Sequence, residues 1–198
     1  MGRRRVLVTG FGPFPGAPVN PSGALALQLA RSRRLAGIGL AVDALVLPTL
    51  WVRADALPAE LAARDPDILL MIGLAGRRRA LTPERFGRKA SRAFPDAAGR
   101  RPQRAIQTGA PALVPAPARL GPLVKALREA GLPARLSVDA GGYICNALAW
   151  RGYRWARERE RTAVFVHIPR PRPGAGIADM RRGLEAVIRA LITEAARP

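Results

Sequence analysis

Ile68-Leu69-Leu70-Met71-Ile72 holds five apolar residues in a row, with no polar side chain among them. A strand with one face in water alternates apolar and polar residues. An unbroken apolar run therefore predicts a strand covered on both faces, as in a parallel sheet held between helices. The segments around it repeat the pattern. Upstream, Val6-Leu7-Val8-Thr9 and Ala41 to Leu47 read as strands, the second ended by Pro48. Between them, Asn20-Pro21-Ser22-Gly23 offers a capped helix start, and Leu25, Leu27 and Leu29 continue a helix to about Arg34. The stretch from about Trp51 to Arg64 predicts a second helix, which Pro58 weakens. Downstream, Gly73 to Pro117 is loop-rich. Leu120 to Ala130 reads as a helix stopped by Gly131 and Pro133, Arg135 to Val138 as a short strand, and Tyr143 to about Arg159 as a helix carrying four aromatics. Ala163 to His167 closes the set of strands, and Ile177 to Ala195 forms a long amphipathic helix. Strands alternating with helices predict an α/β sandwich with a largely parallel sheet. Without repeats or a linker, residues 1–198 read as a single domain, long enough for a substantial core.

Composition narrows the function. A hydrophobic share of 48% is that of a folding chain, not a disordered one. One cysteine excludes an internal disulfide and fits a reducing compartment. The start, Met1 to Gly10, is basic but has too short an apolar run for a signal peptide, and Val6 stands where a myristoylation site needs Ser or Thr. No stretch is long enough to cross a membrane, so the expected location is the cytoplasm. The net charge of +19 invites a nucleic-acid partner. Against that, every quarter of the chain carries a similar excess, only Lys89 and Lys125 are lysines, and no zinc finger or aromatic RNA-binding signature is present. One histidine and no paired cysteines leave too few ligands for a metal site of the usual kinds, and no cofactor is expected.

The chemistry rests on few residues. Gly10-Phe11-Gly12-Pro13-Phe14-Pro15-Gly16 has the look of a dinucleotide-binding turn, but the third Gly is displaced and Pro13 and Pro15 remove amides that would hold a pyrophosphate. It reads as a rigid surface loop or, with its two phenylalanines, as an apolar pocket wall. Cys145 follows Gly141-Gly142 in the first turn of a helix, where unpaired amides favour a thiolate and could hold an oxyanion. His167 ends an apolar strand, a position that opens onto the crevice of an α/β sheet. Taken alone, each also reads as an ordinary packed residue, and Glu84 as a surface carboxylate.

Together these segments resemble the pyroglutamyl peptidase I (pyrrolidone-carboxylate peptidase) family. Val6 to Phe14 with Asn20-Pro21-Ser22 is similar to its opening, and Gly73-Leu74-Ala75-Gly76 leading to Glu84 to its glutamate segment. Ala140 to Asn146 resembles its nucleophile motif, and Val166-His167-Ile168-Pro169 its histidine motif. The resemblance implies a three-layer α/β/α sandwich around a twisted mixed sheet. It also implies a cysteine exopeptidase with Cys145 as nucleophile, His167 as base and Glu84 orienting it, acting on peptides that begin with 5-oxoproline. Phe11 and Phe14 would sandwich the lactam ring, with Asn20 and position 74 nearby. Relatives commonly form homotetramers, while the sequence itself leaves the assembly open.

Two departures stand out. Leu74 occupies a position where the family usually has Gln, and Arg85 to Gly99 keeps only Pro95-Asp96 of the family's pattern, with Arg92 about one position from the expected arginine. They motivate an alternative, a non-catalytic or altered-specificity homologue that binds modified peptide N-termini. Residues 77–104 are also rich in basic side chains, as attraction of acidic peptide groups or a solvated loop face would require.

Overall fold

The computed structural model describes residues 3–102 and 109–195. The reading of Met1-Gly2 and part of the expected 73–117 loop lie outside them. Five strands form the main sheet: β1 (Arg4–Phe11), β2 (Leu40–Leu47), β3 (Ile68–Leu74), β4 (Thr82–Pro83) and β7 (Thr162–Ile168). Their order is β2-β1-β3-β7-β4, parallel except for the short edge strand β4. A second, two-stranded ribbon pairs β5 (Phe86–Arg88) with β6 (Leu113–Pro115).

Helices cover both faces because side chains alternate along every buried strand. Val6, Val8, Ile68, Leu70, Ile72, Val164 and Val166 point to one side and pack on α1 (Pro21–Ala30), α4 (Leu120–Glu129) and α6 (Ile177–Ala195). Leu7, Leu69, Met71 and Phe165 point to the other, against α3 (Trp51–Arg64) and α5 (Ile144–Glu158). This is the expected α/β/α arrangement around a mostly parallel mixed sheet. The chain leaves β1 through α1 to reach β2, then returns through α3 to β3 on β1's other flank. That reversal opens a crevice at the carboxyl ends of β1 and β3.

Two local expectations change and one holds. The first helix is split, α1 ending at Ala30 and α2 (Arg33–Ala36) starting anew. Ser32 lies between them in extended backbone, its hydroxyl accepting from the Leu35 N–H and donating to buried Glu185 at 2.7 Å. A side chain that caps a new helix competes with continuing the old one. α3, by contrast, runs unbroken through Pro58 and is capped from afar, the Asp96 carboxylate accepting from the Trp51 N–H at 3.1 Å. The expected strand Arg135–Val138 does not form. Only two isolated bridges remain, Ala134 with Leu81 and Ser137 with Glu84, because the partner strand is two residues long and its Pro83 has no N–H to donate.

Candidate active site

Alternation along β7 decides where the histidine goes. Val166 and Ile168 face the aliphatic core, so His167 shares the opposite face with Phe165, whose ring lies 4.8 Å from the imidazole. Its register partner on β3 is Gly73. A Cβ on Gly73 would sit 3.0 Å from the Cys145 sulfur and 2.7 Å from Phe165. The absence of a side chain there lets the first turn of α5 bring Cys145 down onto the sheet beside the histidine's strand. The residue as a whole is half-buried, with its sulfur turned inward.

Glu84 comes from the short edge strand's exit and is held from several sides. Its N–H donates to Phe165 O at 2.8 Å, and its carbonyl accepts from the Tyr153 phenol at 2.7 Å. That phenol in turn accepts from the Phe165 N–H at 2.9 Å. Far from being a surface carboxylate, Glu84 is fully buried, and its Oε1 bonds His167 Nδ1 at 2.7 Å. Such a carboxylate makes Nδ1 the protonated nitrogen and leaves the lone pair on Nε2. Arg78 reaches the same Oε1, also bonds Thr82 Oγ1, and donates to Asp139 O at 2.7 Å.

The electrostatics differ from the helix-start expectation. Burial pushes the Cys145 thiol up to about 12, the Glu84 charge adds to this, and the residue's own N–H and Arg78 oppose it. Burial also lowers His167 below its ordinary value, against the hydrogen bond and charge of Glu84. The first-turn amides do not outweigh desolvation, so burial favours the neutral form of both the thiol and the imidazole.

The loop after β1 provides the apolar side. Phe11 is 3% exposed, packed into the core with Leu47 and Trp51, while Phe14 remains partly open. Phe14 lies 6.5 Å from the Tyr143 ring, which meets Trp51 edge-on at 5.4 Å. Both ends of the Asn20 amide are used within this loop: Nδ2 donates to Gly12 O at 3.0 Å, and Oδ1 accepts from the Ser22 N–H and hydroxyl. Leu74 lies on the face of β3 opposite Gly73, so its side chain is directed away from the sulfur.

The divergent segment is also anchored. Asn146, next to the cysteine, bonds Arg88 N and O and Ala90 O at 2.8 to 3.1 Å. A Cβ on Gly87 would lie 2.4 Å from Trp150 Cα, so glycine alone permits this contact with α5. Arg92 N–H donates to Gly142 O at 2.7 Å, and Tyr143 donates to Pro95 O at 3.1 Å. Burial works against the Asp96 carboxylate, yet the N–H groups of Arg100, Trp51 and Ala98 hold it below its usual range. Sequence reasoning missed Arg78, Tyr153 and the clamp made by Asn146. Arg78 stands in an Arg77-Arg78-Arg79 run with no local mark to single it out. Among the described residues there is no cluster of three or more metal-ligating His, Cys, Asp or Glu, and no helix is long and apolar enough to cross a membrane.

The pyroglutamyl peptidase family model matches residues 4–195. The pyrrolidone-carboxylate peptidase of Levilactobacillus brevis is 33% identical over 95% of this chain and 97% of its own length. That of Thermococcus kodakarensis is 33% identical over 98% of each. Among solved structures, a mutant pyrrolidone carboxyl peptidase from Pyrococcus furiosus superposes with a TM-score of 0.86 at 25% identity, covering 96% of this chain and 99% of that one. Pyroglutamyl peptidase I from Bacillus amyloliquefaciens gives 0.84 at 26% identity, covering 100% and 97%. A buried histidine–glutamate pair, on the sheet face where the cysteine sulfur meets Gly73, thus sits on a fold matched over residues 4–195, and the chain belongs to the pyroglutamyl peptidase family of cysteine peptidases.

Proposed function

We propose that this chain hydrolyses the amide bond after an N-terminal pyroglutamyl residue of peptides, using Cys145, His167 and Glu84. The observation that carries the assignment of roles is the 2.7 Å bond from His167 to buried Glu84, on the sheet face where the Cys145 sulfur meets Gly73. Because burial favours the neutral thiol and imidazole, the proton moves from Sγ to Nε2 as sulfur attacks the carbonyl carbon. The carbonyl oxygen becomes an oxyanion facing the first-turn amides of α5. Collapse breaks the C–N bond, His167 returns the proton to the departing amine, and a thioester on Cys145 remains. Water, deprotonated by the same imidazole, then cleaves the thioester and frees 5-oxoproline.

The lactam is flat and uncharged, which suits apolar walls with a few hydrogen bonds. Phe14, with Tyr143 beside it, supplies the accessible wall. Phe11 supports it from the core, and Asn20 acts as a positioning residue for the loop. At position 74 only the backbone remains suited to a substrate contact. A free, unpaired Cys145 is consistent with work in a reducing cytoplasm.

The test compares wild type and Cys145→Ala on a pyroglutamyl fluorogenic amide. Release of the fluorophore by the wild type alone is expected. Tight binding of a 5-oxoproline peptide without turnover by folded, reduced wild type would instead favour a binding protein.

A further inference from the structure

Glu84 Oε1 serves two partners at once, accepting from His167 Nδ1 and an Arg78 guanidinium N–H, while Oε2 has no hydrogen-bond partner among the described residues. The carboxylate is fully buried, and the Arg78 side chain is 24% exposed. A buried carboxylate that faced only an imidazole would have two ways to reduce its electrostatic cost. It could draw a proton onto the ring, or take one up itself. The first removes the lone pair that accepts the thiol proton. The second removes the charge that orients the ring. A permanently charged guanidinium on the same oxygen balances the carboxylate and makes neither step necessary.

We propose that Arg78 is a positioning residue for the reaction: a fixed cation behind Glu84 that lets the carboxylate orient His167 while the ring stays a neutral base. The proposal rests on the Cys145–His167–Glu84 reading above. The charged groups that act on the ring are Glu84, Arg78 and Asp139, and the titratable Cys145 and Tyr153 both feel the Glu84 charge. Gly73 and Thr82, the register partners of His167 on the flanking strands, carry no charge. The other two Arg78 bonds, to Thr82 and to the Asp139 carbonyl, fix the guanidinium so that its charge stays on Oε1.

His167 is the only histidine, so its ring protons can be titrated by NMR in tag-free protein without relying on turnover. Removing the cation by Arg78→Met should raise the histidine's titration midpoint, and with it the acidic limb of kcat/KM, by about one pH unit or more. Activity should then recover toward wild type at alkaline pH. Arg78→Lys keeps a charge and should leave the limb near the wild-type position while lowering kcat. Thr82→Val, which removes one uncharged partner and keeps both the Arg78 charge and its Asp139 bond, should move it much less than Arg78→Met does. If Arg78→Met does not fold, Arg78→Gln serves as the charge-free variant. An unmoved NMR midpoint and limb in a folded charge-free variant would overturn the proposal. If His167→Ala and Cys145→Ala retain turnover, the triad reading fails instead, and the NMR midpoint still reports on Arg78 separately.

Discussion

The two faces of the main sheet are built from neighbouring residues of the same strands, yet they do different work. Val164, Val166 and Ile168 join a core of aliphatic side chains with α1, α4 and α6, where Glu185 is the one buried charged side chain among the described residues, bonded to Ser32 and Arg181. Phe165 and His167 face a core with Trp51, Trp150, Tyr153 and Trp155, and the polar tips of several of these residues reach backbone or carboxylate partners. The aliphatic face tolerates imprecision, since its contacts are non-directional and scale with buried area. The aromatic face does not, because Tyr153, Glu84 and His167 hold one another through directed bonds in a dry space. Placing the chemistry opposite the mainly aliphatic layer keeps stability and reactivity on separate side chains of one strand.

That division can be broken at several points. The largest expected effect is His167→Ala, which should lower kcat/KM on a pyroglutamyl amide on the order of 10⁴-fold while circular dichroism stays unchanged. Next, Gly73→Ala inserts a methyl group 2.7 Å from Phe165 and 3.0 Å from the Cys145 sulfur. A displaced nucleophile should lose about 10²-fold in kcat, and a wild-type rate would show that the sulfur works from another position. A smaller effect concerns pH. With the thiol pushed up to about 12, alkylation of Cys145 by iodoacetamide should rise about tenfold per pH unit above neutrality. A plateau below pH 7 would instead indicate a preformed thiolate–imidazolium pair. The smallest effect on activity belongs to the other face. Leu29→Ala, in the aliphatic core, should reduce unfolding free energy by about 2–5 kcal/mol in a denaturant titration. Its kcat/KM per folded molecule should stay within about twofold of wild type. A large loss of turnover there would join the two faces after all.

The long elements were legible because each is specified by its own residues. β3 carries no polar side chain and β7 is apolar between Thr162 and His167, and α3, α5 and α6 carry their periodicity over 14 to 19 residues. Short ones were not. β4, β5 and β6 have two or three residues each, and their partners come from distant parts of the chain, so no local period exists to read. The same holds for 134–137, where backbone bonds to Leu81 and Pro83 replace a strand. The 85–99 segment, which keeps little of the expected pattern, is still held along α5 through Gly87 and the Asn146 clamp, and to α3 through Asp96. Its backbone is secured mostly by amide bonds that need few particular side chains.

By itself, the sequence determined the layers, the order of elements and the few residues of the right type to react: one thiol, one imidazole and a glutamate at the expected spacing. It also placed the thiol and imidazole at element ends, where α/β sheets bind ligands. Only the tertiary structure decided that Glu84 is buried, that Arg78 and not its neighbours shares its oxygen, and that burial pushes the thiol's pKa up. The physical reason is that these are properties of a shared dry volume. Desolvation and charge act through space between groups far apart in the chain, and no local pattern records which of them will meet.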